Sequence, residues 1–217
     1  MAPPIEDYGF LGDTQTGALV SKAGSIDWLC LPRFDSAGPF AAPLGEGSSR
    51  WRIAPFGHVR TTNRRYRDDT LVLETDFHTA QGSIRLVDFV PPRGKSPHVV
   101  RLVVGVRSQV LVHMELRLRL DPGSIEPWLR HVDGADVAVA GAETVWLRTP
   151  VETRAHDAAV RAHFLVSAGE LLPFVLTWHP SNEHPPAPLD PMRALADTES
   201  FWSDRASSCA YTGVASA

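Results

Sequence analysis

The segment 110–120, VLVHMELRLRL, decides the fold class. Its hydrophobic residues are Val112, Met114, Leu116, Leu118 and Leu120, and its polar residues are His113, Glu115, Arg117 and Arg119. Because successive side chains of a β-strand point to opposite faces, this period of two predicts a strand with one buried and one solvated face. A strand of this kind is typical of an antiparallel sheet.

Seven further segments have the composition of strands, and each is bounded by Gly, Pro, Asp or Ser. They are residues 70–78, 83–90, 98–107, 136–140, 144–148, 159–167 and 171–178. The sequences HTAQGS (78–83) and SAGE (167–170) predict hairpin connections, and GDTQTG (12–17) predicts a turn between strands. Short strands without helical periodicity between them predict an all-β protein, a large two-sheet antiparallel β-sandwich.

The C-terminal part departs from this pattern. Residues 179–190, HPSNEHPPAPLD, are polar and proline-rich, which predicts a linker. Residues 191–206 place hydrophobic side chains at helical spacing, with Asp190 as N-cap and Pro191 in the first turn. We therefore expect a β-sandwich domain over residues 1–180, followed by a linker and a short helix over residues 181–217.

Charge and cysteine content exclude several classes of partner. The chain has 217 residues, with 21 basic and 25 acidic side chains, so no strong field attracts nucleic acid or an anionic membrane. Cys30 and Cys209 are too few for a disulfide framework, and both are interpreted as free thiols of a reducing compartment. Neither a secretory leader nor a membrane-spanning segment is recognisable, so we expect a cytoplasmic protein.

Motifs for cofactors, metals and nucleophilic catalysis are not found in the sequence. The two glycines of residues 12–17 do not form a phosphate-binding loop, and the nine histidines lack metal-binding spacing. We therefore expect no metal, no cofactor and no catalytic residue in this chain. A hydrolase site within the sandwich would need two facing carboxylates. The candidate acids for such a pair are Asp7, Asp13, Asp27, Asp35 and Asp88.

In the stretch GSIDWLCLPRFDS (24–36), a hydrophobic run is followed directly by a proline and then by two residues of opposite charge. Residues 25–31 are predicted to form a strand with Ile26, Trp28 and Cys30 on one face. Pro32 cannot donate to the sheet, so the backbone should leave the sheet there and present a loop.

This stretch also carries a resemblance to a known family. Residues 5–36 resemble the opening signature of bacterial trehalase- and glucoamylase-like proteins of glycoside hydrolase family 15. RWRIAP (50–55), LVDFVPP (86–92) and TESFW (198–202) follow in the order of that family. The resemblance implies a supersandwich-like N-terminal domain that precedes a catalytic (α/α) barrel, which binds and hydrolyses the α-glucoside. This sequence ends before that barrel, so we expect the chain alone to be inactive.

The loop after Pro32 is the candidate site. We expect Trp28, Pro32, Arg33, Phe34 and Asp35 to lie near the sugar, because aromatic faces stack on pyranose rings and charged groups bind hydroxyls. The alternative is that Arg33 and Asp35 pair with each other or cap a turn, and that Trp28 belongs to the core. A second set of aromatic residues is assigned to the core or to a domain interface: Trp128, Trp146 and Trp178.

Two functions remain open on the sequence. The first is a non-catalytic domain that supports the barrel of an inverting α-glucoside hydrolase. The second is a free-standing β-sandwich module that binds a carbohydrate or a protein. The sequence does not separate trehalose from α-glucan specificity, because the specificity pocket would lie mainly in the barrel.

Overall fold

The computed structural model describes residues 3–36, 39–41, 49–120 and 126–208. Within these ranges the strands, in chain order, are β1 Tyr8–Gly12, β2 Gly17–Ser21, β3 Ser25–Leu29, β4 Phe40–Ala41, β5 Arg50–Pro55, β6 Val59–Tyr66, β7 Leu73–Thr79, β8 Ser83–Phe89, β9 His98–Arg107, β10 Gln109–Arg117, β11 Trp128–Val132, β12 Ala135–Ala140, β13 Glu143–Arg148, β14 Arg154–His156, β15 Ala159–Ser167 and β16 Leu171–Pro180. A short 3₁₀ turn, Ile5–Asp7, precedes them, and one α-helix, α1 Pro191–Ser207, follows them.

The strands form two antiparallel sheets. The first sheet has the order β1-β2-β3-β5-β10-β15-β14, with β4 paired to β3, and the second has the order β11-β12-β13-β16-β9-β8-β7-β6. This confirms the predicted two-sheet sandwich. All seven additional strand predictions correspond to observed strands, and β9 and β15 have the predicted bounds. The predicted hairpin and turn sequences connect β7 to β8, β15 to β16 and β1 to β2.

The core lies between the two sheets. In β10, Val112 and Met114 are fully buried, whereas Leu111 on the opposite face is 38% exposed, as the alternating pattern predicts. Side chains of both sheets meet there in one continuous cluster, among them Trp51, Phe77 and Phe174, which are at most 1% exposed. This burial of large hydrophobic side chains is the main stabilising contribution to the fold.

One charged pair is enclosed within this core. Arg101 of β9 binds Asp88 of β8, with 2.8 Å between Nε and Oδ1, and both side chains are fully buried. The same guanidinium donates to the carbonyl oxygen of Trp51, on β5 of the first sheet, and to that of Gly24, in the turn before β3. Arg101 therefore connects the two sheets by hydrogen bonds.

Helix α1 covers the outer face of the second sheet. Asp190 caps it by accepting from the backbone nitrogens of Met192 and Arg193, and Pro191 begins the helix, as predicted. Leu195 packs into a buried cluster with hydrophobic residues of β8, β9 and β16. Glu199 binds Arg67 with 2.6 Å between Oε1 and Nη1, which attaches the helix to the end of β6.

The predicted alternation in β3 is wrong after Ile26. In the pairing of β2 with β3, Leu19 lies opposite Trp28 and Val20 opposite Ile26, so Asp27 is an extra, bulged residue. A bulge reverses the faces of the residues that follow it. The core side chains are accordingly Ile26, Leu29 and Leu31, and Trp28 is half-buried outside the core cluster.

The remaining predictions on single residues have mixed outcomes. Trp146 is buried and Trp178 packs against the core. Trp128 is 70% exposed, so its assignment to the core is wrong, and the alternative assignment to a domain interface stays a prediction. Cys30 is a buried free cysteine, and Cys209 lies outside the described residues. Among the described residues no helix has the length and apolar character required to cross a membrane.

Candidate functional site

The loop after β3 folds against the turn between β1 and β2. The backbone nitrogen of Phe34 donates to the carbonyl oxygen of Gln15 over 2.9 Å, and that of Cys30 donates to Gly17 over 3.2 Å. β3 ends at Leu29, two residues before the predicted end at Leu31, and the chain has left the sheet when it reaches Pro32. The two segments together form an open depression lined by Thr14, Gln15, Arg33, Phe34 and Asp35.

The charged residues of this loop pair with each other. Arg33 Nε lies 3.0 Å from Asp35 Oδ1, and the two side chains are 69% and 72% exposed. The alternative expectation of a mutual ion pair is thus confirmed. An exposed pair of this kind contributes little to stability. Contact of these residues with a sugar stays a prediction.

Two phenylalanine rings lie beside the pair. Phe34 is 48% exposed and Phe10, on the outer face of β1, is 39% exposed. A Cβ atom at Gly17 would lie 2.7 Å from the Phe10 ring and 2.8 Å from the Phe34 ring, so both rings converge over this glycine. The observed arrangement of the two rings leaves no room for a side chain at residue 17. The site therefore presents aromatic carbon next to amide, hydroxyl and charged groups.

A buried ion pair supports the turn. Asp13 accepts from the backbone nitrogens of Gln15 and Thr16 at 2.9 and 2.7 Å, and from Arg93 Nε at 2.8 Å. The Asp13 carboxylate is fully buried, and Arg93 follows β8 of the second sheet. The Thr16 hydroxyl donates to the carbonyl oxygen of Cys30. Two separate parts of the stretch 5–36 therefore meet each other and the segment after β8 at this point.

Four residues of this region were not predicted from the sequence: Phe10, Thr14, Gln15 and Arg93. Residues 12–17 are recognisable in the sequence as a turn. Nothing in them indicates that this turn contacts the loop after β3, because the contact depends on how β1, β2 and β3 pair.

Each of the five acids considered for a hydrolase pair has a structural partner. Asp7 binds Lys22, Asp13 binds Arg93, Asp27 accepts from Tyr8 and Ser25, Asp35 binds Arg33, and Asp88 binds Arg101. Burial together with the Asp27 carboxylate raises the pKa of the Tyr8 hydroxyl, which keeps this phenol protonated. These contacts give each of the five acids a structural role in a turn, a strand or the core.

A second cluster of functional groups lies on the outer face of the first sheet. His113 of β10 and His163 of β15 are cross-strand partners, and their rings stack with 4.6 Å between centroids. Partial burial and the neighbouring His163 ring lower the pKa of His113. The sequence places both residues on strands but does not give the register, so it could not predict that they meet. Among the described residues no group of three or more His, Cys, Asp or Glu side chains is placed to hold a metal ion.

The comparisons with known proteins agree with this architecture. Residues 1–178 match the model of the family described as trehalase-like, N-terminal. The chain is 48% identical over 80 residues to the trehalase of Mycolicibacterium smegmatis, which covers 37% of this chain and 12% of that protein. It is 24% identical over 221 residues to the trehalase of Thermoplasma volcanium, which covers 98% of this chain and 35% of that protein.

The alignments therefore span about a third or less of the length of these relatives. The family model, in contrast, matches most of the chain, including both sheets and the loop after β3. The chain belongs to the trehalase-like N-terminal domain family.

Proposed function

We propose that this chain is the non-catalytic N-terminal domain of an inverting α-glucoside hydrolase of the family 15 type, with trehalose as substrate. In this proposal residues 1–180 form the supporting sandwich and residues 181–217 lead toward a catalytic barrel. The barrel carries the acid and base that hydrolyse the glycosidic bond, and the sandwich positions a loop at the rim of the sugar pocket.

One observation carries the proposal. The chain matches an N-terminal trehalase-like domain over residues 1–178, and its relatives named trehalase are much longer than the part that it matches. The acids of the sandwich give the same indication, because Asp13 and Asp88 are buried against arginines rather than open to a substrate. Hydrolysis is accordingly assigned to the part of the relatives that this chain does not match.

The loop after Pro32 supports a role beside the sugar. The exposed Phe34 ring offers an apolar face to a pyranose, and Arg33, Asp35 and Gln15 offer donors and acceptors to its hydroxyls. Because the Arg33–Asp35 pair is exposed, a sugar hydroxyl can replace one of its contacts at small cost. The turn of Asp13 holds the loop from below through the Gln15–Phe34 hydrogen bond.

The experiment combines this chain with the C-terminal remainder of the M. smegmatis trehalase, co-expressed as a separate polypeptide and called here the trehalase remainder. Glucose release is measured with trehalose, maltose and isomaltose. The proposal expects hydrolysis of trehalose in preference to the other two sugars. Phe34→Ala and Arg33→Ala should raise KM or lower kcat several-fold, whereas Val106→Ala, at an exposed hydrophobic residue of the second sheet, should leave both unchanged.

Two outcomes would contradict the proposal. If the loop variants act like the Val106→Ala control, the loop does not border the sugar. If the chain alone binds trehalose in calorimetry and the trehalase remainder is fully active without it, the chain is a free-standing sugar-binding module.

A further inference from the structure

The two outer faces of the sandwich differ in what covers them. The second sheet is covered by helix α1, whose Ala194 and Leu195 are 3% and 6% exposed against it. On the first sheet, none of the described residues covers the outer face of strands β5, β10 and β15, which is called here the open face. Its side chains alternate with the core residues of the same strands, so the open face is a regular sheet surface.

The open face combines hydrophobic and basic side chains. At one end Phe56, Leu111 and Leu165 are 59%, 38% and 52% exposed. Leu111 and Leu165 are cross-strand partners, and Phe56 is hydrogen-bonded to Leu111 through its backbone, so the three lie side by side. Exposed apolar side chains grouped in this way are typical of interaction surfaces.

The net positive charge of the open face indicates which kind of partner it can bind. Its arginines and its acid are Arg50 and Arg52 on β5, Glu115 and Arg117 on β10, and Arg161 on β15. Four arginines against one glutamate give a net charge of +3, although the chain as a whole carries −4. Glu115 already binds Arg50 and Arg161, at 3.1 and 3.0 Å. A second copy of this face would be repelled, whereas an acidic surface would be attracted.

The open face is continuous with the candidate site. In the first sheet Phe10 lies opposite Leu19, and Leu19 lies opposite Trp28, so a row of hydrophobic side chains runs across β1, β2 and β3. The Phe34 ring lies at the end of this row, over Gly17. A partner that docks on the open face would therefore have the loop after Pro32 at its border.

We propose that the open face is the surface on which the catalytic domain of the trehalase docks, through an acidic and partly apolar patch of that domain. This inference rests on the proposed function, which requires such a domain. It adds the surface of this chain that makes the contact.

The test measures binding of this chain to the trehalase remainder by calorimetry, alongside trehalose hydrolysis. The variant Arg52→Glu/Leu165→Glu alters the open face. The matched control, Arg60→Glu/Val106→Glu, makes the same change of charge and polarity at exposed residues of the second sheet. The proposal expects the first variant to weaken binding at least tenfold and the control to change it less than twofold. Equal binding by both variants would overturn it.

A footprint on the unmodified chain avoids any effect of substitution on folding. Carbethoxylation of His163, on the open face, should fall several-fold in the complex, while that of His131, on β11 and 62% exposed, should not change. Equal modification of His163 with and without the trehalase remainder would contradict the proposal. Self-association of the chain that the Arg52→Glu/Leu165→Glu variant abolishes would also overturn it, in favour of a second copy as the occupant.

The two measurements separate this inference from the proposed function. Binding that protects His163 without restoring hydrolysis keeps the docking surface and contradicts the supporting role. Hydrolysis restored equally by wild type and the Arg52→Glu/Leu165→Glu variant keeps the supporting role and overturns the docking surface. Failure of the wild-type chain to bind contradicts both.

Discussion

Arg101, on the second sheet, donates to the carbonyl oxygen of Gly24, before β3 of the first sheet, over 2.9 Å. Gly24 has φ of +73°, and a Cβ atom there would lie 2.3 Å from the carbonyl oxygen of Ile53. The glycine that opens the sequence GSIDWLCLPRFDS is therefore required by the close approach of the backbone at this point.

Gly24→Ala should destabilise the protein for two reasons, the positive φ and the collision with Ile53. Gly134→Ala is the matched control, because Gly134 also has φ of +73° but has no atom within 4 Å of its Cβ position. The control should lower the free energy of unfolding by about 1 kcal/mol. Gly24→Ala should lower it by at least about 2 kcal/mol more, measured by urea unfolding. Equal losses would mean that the backbone shifts to accept the methyl group.

Arg101→Met should be among the most destabilising single substitutions in this chain. It leaves the Asp88 carboxylate buried without its partner and removes the donors to Gly24 and Trp51. The expected loss is about 3–5 kcal/mol in the free energy of unfolding. The double variant Arg101→Met/Asp88→Leu should recover part of this loss. If the double variant is less stable than Arg101→Met, the buried charge is not the cause.

Leu195→Ala should loosen helix α1 from the second sheet. Leu195 is 6% exposed, and its truncation should cost about 2–3 kcal/mol in the free energy of unfolding. Met192→Ala, at a 49% exposed position of the same helix, should cost less than about 0.5 kcal/mol. Limited proteolysis of residues 181–190 should accelerate only in Leu195→Ala. Equal cleavage of both variants would contradict the packing role of Leu195.

The stability of the protein should fall as the pH is lowered from 7 to 5. Burial, aided by Arg148 and Arg93, lowers the pKa of His98 to about 4, and its Nδ1 lies 2.9 Å from the Thr177 hydroxyl. The folded protein therefore keeps His98 neutral below pH 6.5, where the unfolded chain binds a proton. The free energy of unfolding should drop by about 1.6 kcal/mol from this group between pH 6.5 and pH 5. His98→Gln should show a correspondingly smaller drop, and an identical pH dependence of both proteins would contradict this assignment.

The sequence predicted the strands because the period of two is a local property of each segment. It also predicted helix α1, since Asp190 and Pro191 are local signals. It did not predict the bulge at Asp27, because a bulge depends on how β2 and β3 pair. Arg101 stands among hydrophobic residues in HVVRLVVGVR (98–107), but its acceptors Gly24 and Trp51 are far away in the chain. The loop residues 33–35 were predicted because they directly follow Pro32 in the sequence. Phe10 and Gln15 were not predicted, because they reach the loop only through the pairing of β1, β2 and β3.

The most direct measurement is the rate of glucose release from trehalose by the trehalase remainder without this chain, with this chain, and by this chain alone. The account predicts release only from the mixture, rising with chain concentration to a plateau. Hydrolysis by the chain alone would contradict the account, because it would place the catalytic carboxylates in the sandwich. Full activity of the remainder without the chain would contradict it as well, because the sandwich would then support nothing.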